Sequence, residues 1–133
     1  SKPRYIMVGE IRTPDTASEV LRAATSGHLV LSTIHANNIT DAINSVVKYA
    51  SSTSMSEELA YDLFSRGMLG VLHQTLNGVE RKIPLVSYLF ANPDSTKGDQ
   101  VRGIIKTGKL NLATSIETQM TRMARGKNIF PDL

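Results

Sequence analysis

Two short apolar runs, separated by a single amphipathic stretch, constrain this chain more than anything else in it. Residues 5–8 (YIMV) and 29–34 (LVLSTI) are largely hydrophobic with no polar alternation, the pattern of strands covered on both faces in a parallel sheet. Between them, Thr13 suits an N-cap, Pro14 the first helical position, and Asp15 the first turn, where a carboxylate complements the helix dipole. Ala17, Val20, Leu21 and Ala24 then recur at i, i+3, i+4 and i+7 as one stripe, and Gly27 stops the helix. A second helix follows the second run, with Asn37, Asn38 and Thr40 as candidate caps and Ala42, Ile43, Val46 and Val47 as its stripe. Strand, helix, strand, helix with short connections is a βαβα unit, whose strands lie parallel and are joined right-handedly.

That topology says where chemistry belongs, because open parallel sheets bind ligands beyond the carboxyl ends of their strands. Glu10 follows the first run through Gly9, and His35 ends the second, so both fall on one sheet edge. A carboxylate there can hold a Mg²⁺-bound water, or take the proton of a water attacking a γ-phosphoryl group. The plainer alternative is a pairing with Arg12, two residues on. His35 can donate to a phosphate oxygen and so report a γ-phosphate, or it can simply cap the turn into the next helix. Asn37 and Asn38 carry the same double reading, with capping the simpler one.

His28 precedes the second run and so lies at its opposite end from His35. At about 3.3 Å of rise per residue the two cannot share one ion. His73 stands alone in an apolar run and reads as a core or interface histidine, and Tyr61, Tyr88 and the methionines read as packing. The hydroxyls of Ser32 and Thr33 lie near the same edge, but tight sheet packing and strand propensity account for them. No G-x-x-x-x-G-K-[ST] occurs in the 133 residues, so the backbone cradle and lysine of a P-loop are not among them.

The second half has a different texture. Ser54 with Glu57 fits a capping box for a helix striped by Leu59, Ala60, Leu63 and Phe64. Residues 67–76 are ambiguous between helix end and strand, whereas 82–90 are strand-like, and the Asn77-Gly78 dipeptide between them signals a hairpin. A turn-rich loop at 92–98 leads to two helices, 100–107 and 112–125, broken near Gly108, the second striped by Ala113, Ile116, Met120 and Met123. The expected division is residues 1–50 and 51–133, two parts of one domain with no flexible linker.

Composition narrows the classes further. There is no cysteine, which removes disulfides and thiolate metal sites. No apolar run approaches the roughly 20 residues of a transmembrane helix. Aromatics make up 5% with no tryptophan, so bases would find few stacking platforms. The net charge of +3 is mild, and the two local basic groups (Arg102, Lys106, Lys109 and Arg122, Arg125, Lys127) read as solvated helix faces. No specific nucleic acid is expected. The chain opens almost directly on a strand, and a longer polypeptide around it is expected.

YIMVGEIR, the amphipathic helix, and TSGHLVLSTIHANN together resemble the Walker B and histidine-box region of the secretion or traffic ATPases. That family comprises the hexameric motors of type II secretion, type IV pilus extension and retraction, and conjugative or type IV secretion. The likeness is nearest to the pilus-retraction and type IVB secretion/conjugation branch, whose C-terminal helical region resembles VRGIIKTGKLNLATSIETQM, residues 101–120. The resemblance covers nearly the whole chain.

It implies an α/β fold, the C-terminal portion of a RecA-like (P-loop NTPase) domain with a hairpin and helical region after the parallel sheet. Glu10 matches the Walker B glutamate that activates water and organises Mg²⁺. His35 matches the second histidine of the box, a γ-phosphate sensor, and His28 the first, more structural one. Gly9, Arg12 and Gly27 match motif positions, with Gly9 and Arg12 beside the nucleotide. The family commonly has an aspartate where Thr13 stands. The resemblance further implies ATP and Mg²⁺ as cofactors, a hexamer, platform proteins of a bacterial inner membrane as partners, and a cytoplasmic, membrane-peripheral location. The family's Walker A lysine, Asp-box and trans-acting arginines lie upstream of the matching segment. The 133 residues by themselves are therefore expected to lack ATPase activity. The alternative is a non-catalytic oligomerisation or docking module of the same descent. Which cargo is moved, pilin, effector or DNA, stays open.

Overall fold

A computed structural model describes residues 5–53, 55–78, 80–94 and 100–130. The elements run β1 (Tyr5–Met7), α1 (Pro14–Thr25), β2 (Leu29–Leu31), α2 (Ile39–Ser51), α3 (Glu57–Gly67), β3 (Gly70–Asn77), β4 (Ile83–Phe90), α4 (Gln100–Lys106) and α5 (Ala113–Ala124).

Strands β1 and β2 are parallel, with Tyr5 opposite Leu29, Ile6 opposite Val30 and Met7 opposite Leu31. The second strand is shorter than expected, yet the two chains stay side by side to Thr33. The Val8 N–H donates to the Leu31 carbonyl at 2.9 Å and the Ile11 N–H to the Thr33 carbonyl at 2.8 Å. Cover on both faces is not met among the described residues. Tyr5 and Met7 are 62% and 75% exposed while Ile6 and Val30 are half-buried, so packing shields one face only.

The first two helices follow their local signals. The Thr13 hydroxyl accepts from the Thr16 N–H at 3.2 Å, ahead of Pro14. Asn38 caps α2 by accepting from the Asp41 N–H at 2.8 Å, and Asp41 in turn accepts from the Asn37 N–H at 2.9 Å. Gly27 adopts φ +90°, a left-handed turn that a side chain would strain. The α2 stripe, Ala42, Ile43, Val46 and Val47, is wholly buried, and Ala17 and Leu21 meet it from α1.

Several expectations for the second half change. Ser54 lies outside the described residues, and α3 is capped instead by Ser56, whose hydroxyl accepts from the Leu59 N–H at 3.0 Å. Of its stripe, Ala60 and Leu63 are buried, Phe64 half-buried and Leu59 exposed. The ambiguous 67–76 stretch resolves into the end of α3 and then β3, antiparallel to β4 with Gly70 opposite Phe90 and Asn77 opposite Ile83. Gly78, φ +109°, turns the hairpin. Of the turn-rich loop, residues 95–98 lie outside the described residues.

Helix α5 departs most from its stripe. Ala113 and Met123 are exposed, Ile116 and Met120 half-buried, and the buried residue is Gln119. Its amide grips the free edge of β4, accepting from the Phe90 N–H and donating to the Phe90 carbonyl, both at 2.8 Å. A sheet edge presents unpaired peptide groups, and a primary amide has the donor and acceptor to satisfy them.

Arg102 of α4 makes a second tie of this kind. Nη1 donates to the carbonyls of Ser65 at 2.6 Å and Arg66 at 3.1 Å, and Nη2 to that of Asn92 at 2.9 Å. Carbonyls at a helix C-terminus have no partner within the helix, and here a guanidinium supplies one. The core draws on both halves of the chain, with Ile43 and Val47 packed among Ala60, Leu63, Leu89, Ile105 and Leu112.

Candidate functional site

Beyond Met7 the chain leads through Val8 and Gly9 to Glu10, and beyond Leu31 it leads to His35. Parallel pairing in register therefore delivers both residues to the same end of the sheet. His35 Nε2 lies 2.9 Å from Glu10 Oε1, and Glu10 Oε2 accepts from Arg12 Nε. Glu10 thus makes the pairing with Arg12 that is its plainer reading, and it also lies beside His35.

The exposure of the three is unequal. The Glu10 side chain is 22% exposed, against 92% for His35 and 76% for Arg12. A sheltered carboxylate sits beneath two donors that reach into solvent. Ion pairs this wet contribute little to stability, about 0–1 kcal/mol. What the arrangement offers is availability, since donors held loosely on one anion can turn to another.

Of the remaining motif residues, Gly9 lies at this edge and Gly27 and His28 do not. The Gly9 carbonyl accepts from the Ser32 hydroxyl at 2.9 Å, so Ser32 braces the two strand ends. A Cβ on Gly9 would meet nothing within 4 Å, which leaves open space beside Glu10. His28 and Gly27 lie at the other end of β2, where the Ser26 hydroxyl and His28 Nδ1 are 3.1 Å apart. They take no part in the Glu10 cluster.

One contact was not legible from spacing. His73, read as a core or interface residue, sits half-buried on β3 with Nε2 2.8 Å from the Ala36 carbonyl, directly after His35. An isolated histidine in an apolar run carries no local signal of a partner 37 positions away.

The donor set bears on metal binding. Among the described residues, no group of three or more His, Cys, Asp or Glu could hold a metal ion. A single carboxylate does not make a dedicated cage. It does suit Mg²⁺, which keeps several waters and commonly takes one or two carboxylates plus substrate phosphates. Each Glu10 oxygen has more than one lone pair, so the two contacts seen do not exhaust its acceptor capacity. Glu10 would be the residue to hold such an ion, through water.

Residues 1–84 match the family model described as Type II/IV secretion system protein, and the chain belongs to that family. It is 25% identical to a Twitching motility protein of Neisseria gonorrhoeae over 98% of this chain and 37% of that protein. It is 42% identical to the Type II secretion system protein E of Pseudomonas aeruginosa, over 56% of this chain and 13% of that protein. Among solved structures, the pilus retraction motor PilT with bound ADP superposes with a TM-score of 0.63 at 26% identity. The match covers 96% of this chain and 33% of PilT. The Legionella pneumophila ATPase DotB shares the fold, with a TM-score of 0.64 at 24% identity over 95% of this chain and 36% of its own. The chain therefore spans about a third of the length of these solved relatives. The expected α/β class with a parallel sheet is the fold of these relatives.

Proposed function

We propose that this chain is the Walker B and histidine-box portion of an ATPase that drives pilus assembly or retraction, protein secretion or conjugative transfer. The observation that carries the reading is the 2.9 Å contact between His35 and Glu10 at the carboxyl edge of parallel strands. A family of secretion proteins whose relatives include a "Type IV pilus assembly ATPase PilB" supports it.

In this reading Glu10 is the general base. Its carboxylate orients a water and accepts its proton as the water attacks the terminal phosphorus. Proton transfer by a positioned group contributes about 10²–10⁴-fold in rate. His35, nearly free in solvent apart from Glu10, turns an N–H toward a γ-phosphate oxygen and so registers its presence. Arg12 offers a cation to the same phosphates. The open space over Gly9 lets the phosphates approach the backbone. Mg²⁺ would arrive with ATP and neutralise charge on its phosphates. The same reading takes the working form to be a hexamer on inner-membrane platform proteins, at the cytoplasmic side. None of the helices in the described residues is long and apolar enough to cross a membrane.

The test is Glu10→Gln in the whole protein. ATP turnover should fall by about 100-fold or more, while affinity for a nucleotide analogue changes little. Turnover near the wild-type rate would remove Glu10 from this role.

A further inference from the structure

The segment that carries His35 is held from four sides. The His35 ring rests on Glu10. The Ala36 carbonyl accepts from His73. The Asn37 N–H donates to Asp41 Oδ2, and the Asn38 side chain accepts from the Asp41 N–H. The second and third of these belong together, because the Ala36 carbonyl and the Asn37 N–H are the two ends of one peptide unit. That unit is planar and turns as a rigid plate. It is pinned at its oxygen by β3 and at its nitrogen by α2.

Of the four anchors, only His73 comes from outside the βαβα unit. The bonds to Glu10 and Asp41 arise from β1, β2, α2 and their connections, whereas β3 belongs to the second, separate sheet. A carbonyl can only accept, so the geometry requires a hydrogen on Nε2 of His73. We propose that His73 is a positioning residue for His35. By fixing the 36–37 peptide, it sets the direction from which the His35 ring meets Glu10 or a phosphate, and it links the β3–β4 hairpin to that edge. A hairpin displaced from its place would release the plate and slacken the sensor. Without His73 the plate keeps its tether to Asp41 but is free to swing at its oxygen end.

The inference rests on the reading of His35 as phosphate-facing, and the experiment separates the two. Steady-state ATP hydrolysis is measured for the whole protein and its His73→Leu, His73→Gln and His35→Ala variants. With the tether lost, His73→Leu should lower kcat about five- to tenfold, the scale of one net hydrogen bond, and leave KM for ATP within about twofold. Glutamine carries an N–H donor of similar reach, so His73→Gln should restore kcat to within about twofold of wild type. Selective ¹⁵N labelling of histidine should show the hydrogen of His73 on Nε2.

Wild-type kcat in His73→Leu, with His35→Ala inactive, would overturn the positioning role and leave the His35 reading standing. His73→Gln as slow as His73→Leu would overturn it too, since ring packing rather than the N–H would then matter. So would a spectrum with Nε2 unprotonated. Wild-type turnover in His35→Ala would remove the His35 reading, and this inference with it.

Discussion

Two polar clusters in this chain use similar ingredients to opposite ends. Arg102 reaches backbone carbonyls, those of Ser65, Arg66 and Asn92, and so closes the C-terminal end of α3 against the loop after β4. Glu10, Arg12 and His35 meet one another's side chains at the rim of β1 and β2, with Arg12 and His35 largely in solvent. A side chain spent on part-buried backbone carbonyls has no better partner to turn to, because leaving them would strand acceptors that solvent reaches poorly. A side chain held by another side chain at the surface exchanges it freely for water or a ligand. The first cluster holds the fold, and the second is free to act.

Mutations can break that comparison, and the largest effect belongs to the second cluster. Glu10→Gln should cost about 100-fold or more in turnover while shifting unfolding free energy by no more than about 1 kcal/mol. Chemical denaturation beside an activity assay checks both halves, and a large stability loss would make Glu10 a fold residue after all. Arg102→Ala should do the reverse and destabilise the chain by about 3 kcal/mol, as charged hydrogen bonds to carbonyls are removed together. A denaturation midpoint unchanged from wild type would place the clamp among the exposed, exchangeable contacts.

Gln119→Leu tests the same idea with a neutral group. It keeps the volume but leaves the Phe90 N–H and carbonyl without their amide, and should cost about 2 kcal/mol. Hydrogen exchange at Phe90 should quicken in the same variant. The smallest effect is expected at Tyr61, which donates to Asn44 Oδ1 at 3.2 Å. Burial first, and the charge of Glu57 second, raise its phenol above the ordinary 10.0. The folded state thus favours the protonated phenol. That stabilisation is complete below the ordinary value and is lost as pH rises through the raised one. Tyr61→Phe should cost about 1 kcal/mol at neutral pH and flatten the alkaline limb of a stability-versus-pH curve. An alkaline limb identical in both would show that another group sets it.

The features that could be read in advance are those whose causes lie within a few residues. Thr13 caps its helix because its hydroxyl meets Thr16, three positions on, and Asn38 does the same with Asp41. The α2 stripe is buried because a 3.6-residue period puts four apolar side chains on one side whatever they pack against. The placing of Glu10 and His35 at one edge was legible too, since parallel strands joined by a helix must bring their carboxyl ends together. Ser56 rather than Ser54 as the cap of α3 shows the limit of such signals: two serines two positions apart offer the same hydroxyl, and the backbone chooses.

What tertiary structure alone decided are meetings between residues far apart in sequence, and the choice of covered face. Nothing near His73 indicates the Ala36 carbonyl, and nothing near Gln119 indicates the edge of β4, 29 positions earlier. The apolar pattern of α5 named its aliphatic residues as the buried set, yet the neighbour there is a strand edge needing hydrogen bonds, and an amide took the place. Likewise the runs at Tyr5 and Leu29 read as strands but not as strands with one face bare among the described residues. Local sequence sets which conformations are cheap. Which side chains then meet depends on the surfaces that other elements bring, and that is settled only when the chain has closed on itself.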